Sequence, residues 1–279
     1  MVNTTNFKDK SDKEYKAQAQ ANWSDAPCGG NYTDAEPLTP EFFRETADFR
    51  YRSHPWILED ILAMRVSGKR VLEIGYGMGT DHLSLARSGA EVYGVDLTAR
   101  HTQYTRARFD NADEVVRLTI GDAETLPFAD DSFDAIYSFG VIHHSPNTDK
   151  IVAEIQRVLR PGGHCHVTVY HKHSVFFAWS VYLVNYLWRG GRRLRTLRQQ
   201  LSLIEYPNNN PDMVIRLYTR AEMRELLSGF AQTRIGVRHL LPVDVEVFSR
   251  LYKDPFRPRG WLDWLGRRFG WYLVVDAWK

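Results

Sequence analysis

From Arg70 onward, short apolar runs alternate with amphipathic stretches, the periodicity of strands alternating with helices. The segment KRVLEIGYG is an apolar run closing on glycine, which predicts a buried strand at 71–74 entering a tight turn. A helix over 81–88 carries Leu83, Leu85 and Ala86 and stops at Gly89, a natural C-cap. A second strand at 91–95 ends in Asp96, followed by a helix at 100–111 and strands at 116–120 and 133–139. Residues 148–159 place Ile151, Ile155, Val158 and Leu159 on one helical stripe, which Pro161-Gly162-Gly163 is expected to end before a strand at 164–170. This repeated alternation predicts a parallel sheet covered on both faces.

Beyond Tyr170 the rhythm lapses until a capping box at Thr219 and Glu222 opens a helix to residue 228. Strands are expected at 231–237 and 271–278, the latter apolar on both faces apart from Asp276. The chain thus divides into a mobile polar tail (1–22), a helical lid (23–69), a core (70–170), a cap insertion (171–218) and a C-terminal part of the core (219–279). That last part carries a second insertion at about 239–269.

Length and composition narrow the classes. The 279 residues, 43% hydrophobic and 25% charged, suit one large domain with additions. Thirty-six Lys and Arg against 34 Asp and Glu leave +2, too balanced for a chain that grips a phosphate backbone, so no nucleic-acid partner is expected. Cys28 and Cys165 lie far apart and form no CxxC pair, which excludes a disulfide scaffold or thiolate zinc site and fits a reducing compartment. The first twenty residues lack the apolar core of a secretory signal, so a cytoplasmic protein is expected. The apolar run 175–188 is interrupted by Ser180 and Asn185 and is shorter than the ~20 residues a spanning helix needs.

The chemistry is concentrated after the first strand, where Val71 to Asp81 reads VLEIGYGMGTD, a GxGxG at Gly75, Gly77 and Gly79. A dinucleotide fingerprint would need a small residue at position 80, where Thr80 stands, and Glu73 would repel a pyrophosphate. A ligand that is positively charged there fits better. With VYGVDLT at 92–98, IGDAETLPFADDSFDAIYSFGVIHH at 120–144 and RVLRPGG at 157–163, the chain resembles class I S-adenosylmethionine-dependent methyltransferases, the broad group acting on ubiquinone precursors, sterols and natural products.

That resemblance implies an α/β fold: a doubly wound Rossmann-like methyltransferase sheet, mostly parallel, with an antiparallel C-terminal strand. It makes 70–170 the S-adenosylmethionine-binding core. Gly75, Tyr76 and Gly77 would approach the cofactor through their backbone, and Glu73 would face its ammonium. Asp96 would accept the ribose hydroxyls, with Leu97 lying on adenine, and Asp122, Ala123 and Glu124 would read the adenine edge. Phe139, Val141 and His144 would lie near the methionyl part and sulfonium, while Tyr51 or Arg52 in the lid would hold the methionyl carboxylate. S-adenosylhomocysteine would be the product.

Methyl transfer is an in-line displacement and needs a base only when the acceptor must lose a proton. His143 and His144, just beyond the fourth strand, are the first candidates for a base or an acceptor-orienting group, with His171 and His173 next. His164 and His166 alternate onto one face of a strand, as chelating residues can, but read as ordinary strand residues, and no metal is expected. Ser138-Phe139-Gly140-Val141 stands where exocyclic DNA amino methyltransferases carry an Asp/Asn-Pro-Pro-aromatic turn. The only Pro-Cys, Pro27-Cys28, lies in the segment 23–30, read as a lid over the active site.

The two insertions are left to build the acceptor pocket. Arg189, Arg192, Arg193, Arg195 and Arg198 follow the apolar run, and the later insertion repeats the theme in Trp261, Leu262, Trp264 and Leu265 beside Arg257, Arg259, Arg267 and Arg268. Such composition over 175–198 suits peripheral contact with a lipid headgroup boundary, a large apolar pocket, a homodimer interface or an anionic acceptor. The expected reaction is methyl transfer to a small apolar or aromatic acceptor. The alternatives are a glycan-linked or macromolecular anionic acceptor, or a non-catalytic cofactor-binding partner subunit.

Overall fold

The computed structural model describes residues 10–25, 29–205, 213–245 and 250–279. Strands β1 (Arg70–Ile74), β2 (Glu91–Asp96), β3 (Arg117–Ile120), β4 (Phe133–Phe139), β5 (Leu159–Tyr170), β6 (Gln232–Arg238) and β7 (Tyr272–Trp278) form one seven-stranded sheet. Their order is β3-β2-β1-β4-β5-β7-β6. The first five are parallel, and β7 runs antiparallel to both β5 and β6. Strand order reverses between the neighbours β1 and β4, which opens a crevice at their carboxyl ends.

Alternating side chains along the strands feed two cores. Leu72, Ile74, Ile136 and Val167 pack under α6 (Thr148–Val158) and α8 (Arg220–Leu226). Val71, Ala135 and Tyr137 pack on the opposite face with Ile57 and Ile61 of α3 (Trp56–Ala63), Leu83 and Leu85 of α4 (Thr80–Arg87) and Phe109 of α5 (Ala99–Asp110). The capping box forms as the sequence predicts: Thr219 Oγ1 accepts from Glu222 N at 3.1 Å, and Glu222 Oε2 accepts from Thr219 N at 2.7 Å.

Two expectations are corrected. Pro161-Gly162-Gly163 does not separate helix from strand. α6 ends at Val158 and β5 begins at Leu159, with the register between Phe133↔Leu159 and Ala135↔His164 absorbing the glycines as a bulge. Residues 1–22 are not uniformly a tail, because α1 (Asp12–Asp25) is a formed helix with Tyr15 and Ala19 buried. Of the segment 23–30, residues 26–28, including Cys28, lie outside the described residues.

The cap has its own small core. A wide helix, Phe176–Trp188, closes with an Arg189 N to Val184 O bond of i→i−5 type at 2.8 Å. Its Val181 packs with Leu197 and Leu201 of α7 (Leu197–Glu205), and with Ile215, Trp271 and Ala19 of α1. The second insertion contributes α9 (Gly260–Phe269), whose Leu262 packs with Leu240 and Val245. Among the described residues no helix is long and apolar enough to cross a membrane.

Candidate active site

A cavity of about 710 Å³ occupies the crevice at the carboxyl ends of the strands. Its floor is the turn after β1. Gly75 has φ +76°, and a Cβ there would sit 2.3 Å from Val141, so backbone approaches where no other residue fits. Gly79 takes the left-handed cap position of α4, with Thr105 packed against it.

Glu73, at the end of β1, is buried in the lining, and its Oε2 lies 2.8 Å from His82 Nδ1. Burial, reinforced by the charge of Asp81, holds the Glu73 carboxyl well above its ordinary value, while burial pushes His82 down to about 3. His82 is therefore neutral in this pair, and an arriving cation would favour ionisation of Glu73. Asp96, at the end of β2, accepts from Gly77 N at 3.1 Å, Thr98 N at 2.9 Å and Thr98 Oγ1 at 3.0 Å. His101 Nδ1 lies 3.0 Å from the same carboxylate. One side chain thus ties the glycine turn, the second strand and the start of α5 together. Tyr76 is buried, with its hydroxyl 2.7 Å from Thr102 Oγ1, and Leu97 and Ala123 also face the cavity.

Asp122 and Glu124 lie beyond β3 and are joined by Lys16 of α1, whose Nζ is 2.6 Å from each. Burial disfavours the Lys16 charge, but the two carboxylate hydrogen bonds outweigh it and raise the ammonium above its ordinary value. Lys16, Ala19 and Trp23 all line the cavity, at the i, i+3, i+7 spacing of one helix face. Gln20 on the same side donates to the Leu97 carbonyl at 3.0 Å. The Trp23 ring lies between His101 and His144, at 6.2 and 5.7 Å.

Helix α2 (Pro40–Ser53), within the segment expected to be a lid, turns Thr46, Phe49, Arg50 and Ser53 to the cavity. Tyr51 and Arg52 face elsewhere. The Tyr51 hydroxyl lies 2.7 Å from Ser84 Oγ and donates to the Thr80 carbonyl at 3.0 Å, and Arg52 is exposed with its guanidinium over Phe49. Arg50 is the cation that α2 brings to the site, in addition to Lys16 of α1. Its guanidinium grips Asp81 through Nε and Nη2, the Nε contact being 2.7 Å, and lies 4.4 Å above the Phe139 ring. Burial opposes the Asp81 charge, but Arg50 and the hydroxyls of Tyr137 and Tyr51 outweigh it and hold the carboxyl below its ordinary value.

The histidine pair divides. His144 lines the cavity, and its Nδ1 donates to the Val214 carbonyl at 2.9 Å, which places the ring proton there and leaves Nε2 as the basic nitrogen. His143 is fully buried against Tyr170, at 3.9 Å between centroids, and burial pushes it well below its ordinary value. It does not reach the cavity, and neither His171 nor His173 lines it. Phe139 and Val141 do.

Arg50, His54, Asp81, His101, Tyr170 and Tyr272 also line the cavity but were not singled out from the sequence. The period of 3.6 residues over 46–53 contains the signal for Arg50. Nothing local marks Tyr170 and Tyr272, which meet through the register Tyr170↔Tyr272 of β5 and β7.

The fold and cavity define an open, doubly wound α/β scaffold with its main crevice at the strand-order reversal. Residues 72–167 match the family described as "Methyltransferase domain", in agreement with the resemblance to class I S-adenosylmethionine-dependent methyltransferases. The chain is 38% identical over 100 residues to methyltransferase GfsG of Streptomyces halstedii, a stretch covering 35% of this chain and 36% of that one. It is 39% identical over 104 residues to a phthiotriol/phenolphthiotriol dimycocerosates methyltransferase of Mycobacterium leprae, covering 36% and 37%. The chain thus spans little more than a third of the length of either relative. The fold is shared with the 1,6-didemethyltoxoflavin-N1-methyltransferase of Burkholderia thailandensis, a structure with bound 1,6-didemethyltoxoflavin and S-adenosylhomocysteine. That likeness has a TM-score of 0.53 at 19% identity, over 97% of this chain and 91% of that one.

Proposed function

We propose that the chain transfers a methyl group from S-adenosylmethionine to a small acceptor of apolar or aromatic character. The observation that carries this reading is the division of one cavity along the sheet. The carboxyl side chains Glu73, Asp96 and Asp122 sit over the β1–β2–β3 half, and the rings of Phe139, Tyr170 and Tyr272 sit over the β4–β5–β7 half. The residues fit the cofactor. Glu73 is a buried carboxyl suited to an ammonium, Asp96 to hydroxyls and Asp122 to an amino edge, while Gly75 admits a ligand against the backbone. His101 adds a buried Nε2 without a hydrogen-bond partner on the cavity wall.

S-adenosylmethionine, when bound, supplies an electrophilic methyl group on a sulfonium. This chain's residues do the rest by alignment. Aromatic walls hold a flat or apolar acceptor and exclude water, and orientation of this kind supplies much of a displacement's rate. His144, with its proton fixed on Nδ1, takes a proton at Nε2 from an acceptor hydroxyl or amine, or orients that group. The names of the Mycobacterium and Burkholderia proteins, both small-molecule methyltransferases, support the acceptor class.

Acceptor entry from a lipid surface belongs to the same reading. Trp179, Leu183 and Trp188 of the wide helix and Trp264 of α9 are exposed, and arginines follow or flank each segment. Flotation with anionic vesicles should carry part of the protein upward, and protein left wholly in solution would remove that route.

Calorimetry with S-adenosylmethionine tests the main proposal. Binding should be measurable and should weaken about a hundredfold in Asp96→Ala, since two charged hydrogen bonds contribute about 3 kcal/mol. Absence of binding, or binding indifferent to that change, overturns the assignment. S-adenosylhomocysteine should then accumulate only when a suitable acceptor is added.

A further inference from the structure

On the far side of β5 from the α6 core lies a second, smaller cavity of about 320 Å³, lined in part by Asp60, His164, His166, Arg234 and Asp276. Nothing in the methyl-transfer reading uses it. His164 and His166 alternate onto one face of β5, and Asp276 of β7 is the register partner of His166. The three side chains converge. His164 Nε2 lies 3.0 Å and His166 Nδ1 2.9 Å from the same oxygen, Asp276 Oδ1. All three atoms lie within 4.8 Å of one another. An ion held by these three atoms with bonds of about 2.0–2.2 Å needs ligand separations of about 3.3–3.6 Å in tetrahedral geometry, so each nitrogen–oxygen pair would open by a few tenths of an ångström to admit it.

A second observation points the same way. The other nitrogen of His166, Nε2, faces Asp60 Oδ2 of α3 at 3.8 Å, and that oxygen is buried with no hydrogen-bond partner. An imidazole that ligates through one nitrogen characteristically directs its other N–H at a carboxylate, which fixes the ring and strengthens the ligand. Asp60 stands where that acceptor belongs. The His166 ring is also fixed by stacking on Tyr137, at 5.7 Å and nearly parallel.

We propose that His164 Nε2, His166 Nδ1 and Asp276 Oδ1 form a binding site for one divalent transition-metal ion of the zinc type, with Asp60 orienting His166. Two of the three ligands are imidazole nitrogens, so the site favours a zinc-type ion over a hard cation that seeks oxygen, while Arg234 and Lys69 in the same cavity oppose any ion held by charge alone. Zn²⁺, Co²⁺ and Ni²⁺ fit, whereas Mg²⁺ and Ca²⁺ do not. The fourth position opens into the cavity and takes water. Bridging β5 to β7, the ion fastens the antiparallel end of the sheet to its parallel part, away from the methyl-transfer cavity.

The test uses the untagged full chain, stripped with chelator and titrated with Co²⁺ alone while visible d–d absorption is followed. A saturable spectrum at one ion per chain is expected, displaced by Zn²⁺ and indifferent to excess Mg²⁺. His166→Gln and Asp276→Asn should each abolish it. Asp60→Asn, which removes no ligand, should weaken binding about 10–100-fold. Anomalous scattering from Co²⁺-soaked crystals locates the ion without any variant, and its peak must fall between His164, His166 and Asp276. No saturable spectrum, a spectrum unchanged in His166→Gln and Asp276→Asn, or a peak elsewhere overturns the proposal.

Discussion

Glu73 shows how a single side chain is prepared for its ligand. Its carboxyl is buried beside Asp81 and bonded to a neutral His82, so it stays protonated above the ordinary carboxylate range. A ligand ammonium reverses that balance, because an opposite charge at close range favours the ionised form. Binding of S-adenosylmethionine should therefore release a proton at pH below the raised Glu73 value and tighten as pH rises towards it. Calorimetry in buffers of different ionisation enthalpy measures the release directly. Glu73→Gln should abolish it and weaken binding at least tenfold, since a charged hydrogen bond contributes about 1.5–3 kcal/mol. Equal proton release in both proteins would place the titrating group elsewhere.

At the scale of elements, α1 is the instructive case. It is polar on most sides and buries only Tyr15 and Ala19, so packing alone holds it weakly. Its position comes from Lys16 on Asp122 and Glu124, and from Gln20 on the Leu97 carbonyl. Lys16→Met should leave the unfolding free energy within about 1 kcal/mol, as partly exposed ion pairs contribute little. The backbone amides of 12–25 should nevertheless exchange several-fold faster, and S-adenosylhomocysteine should dissociate faster. Unchanged exchange would show that α1 is held by its apolar contacts instead. This helix also marks where the sequence stops being legible. β1, β2, β4 and β7 are apolar runs and could be read directly, as could the acids at their ends. α1 has no apolar stripe to read, because distant partners position it. Arg50 was missed in favour of Tyr51 and Arg52, although Thr46, Phe49, Arg50 and Ser53 share one helical face. The meeting of His166 with Asp276 depends on a strand register that nothing local specifies.

Over the whole molecule, buried titratable groups set two opposed pH dependences. His54, His82, His143 and His239 are all held below their ordinary value, chiefly by burial. A lowered folded-state value gives stability that is present above the unfolded value of 6.5 and is lost as pH falls. Between pH 6.5 and about 5.5 each such histidine should cost about 1 kcal/mol. Asp244 runs the other way. Burial raises it from 3.8 to about 7, against a backbone hydrogen bond from Leu241, so its contribution is greatest in acid and is lost as pH rises towards 7. Glu73 has the same sign. Asp244 returns about 1.4 kcal/mol per pH unit on acidification, which offsets part of the histidine loss over that unit. Urea unfolding should accordingly find the wild type losing less stability across this interval than its buried histidines alone would cost. Asp244→Asn keeps the shape and a carbonyl oxygen for Leu241 N but removes the titration. Its stability should fall on acidification more steeply than that of the wild type, by about 1.4 kcal/mol per pH unit. Parallel pH profiles for the two proteins would mean that Asp244 is ionised in the folded chain at this pH, and that the His239 and Leu241 side of the cap admits water.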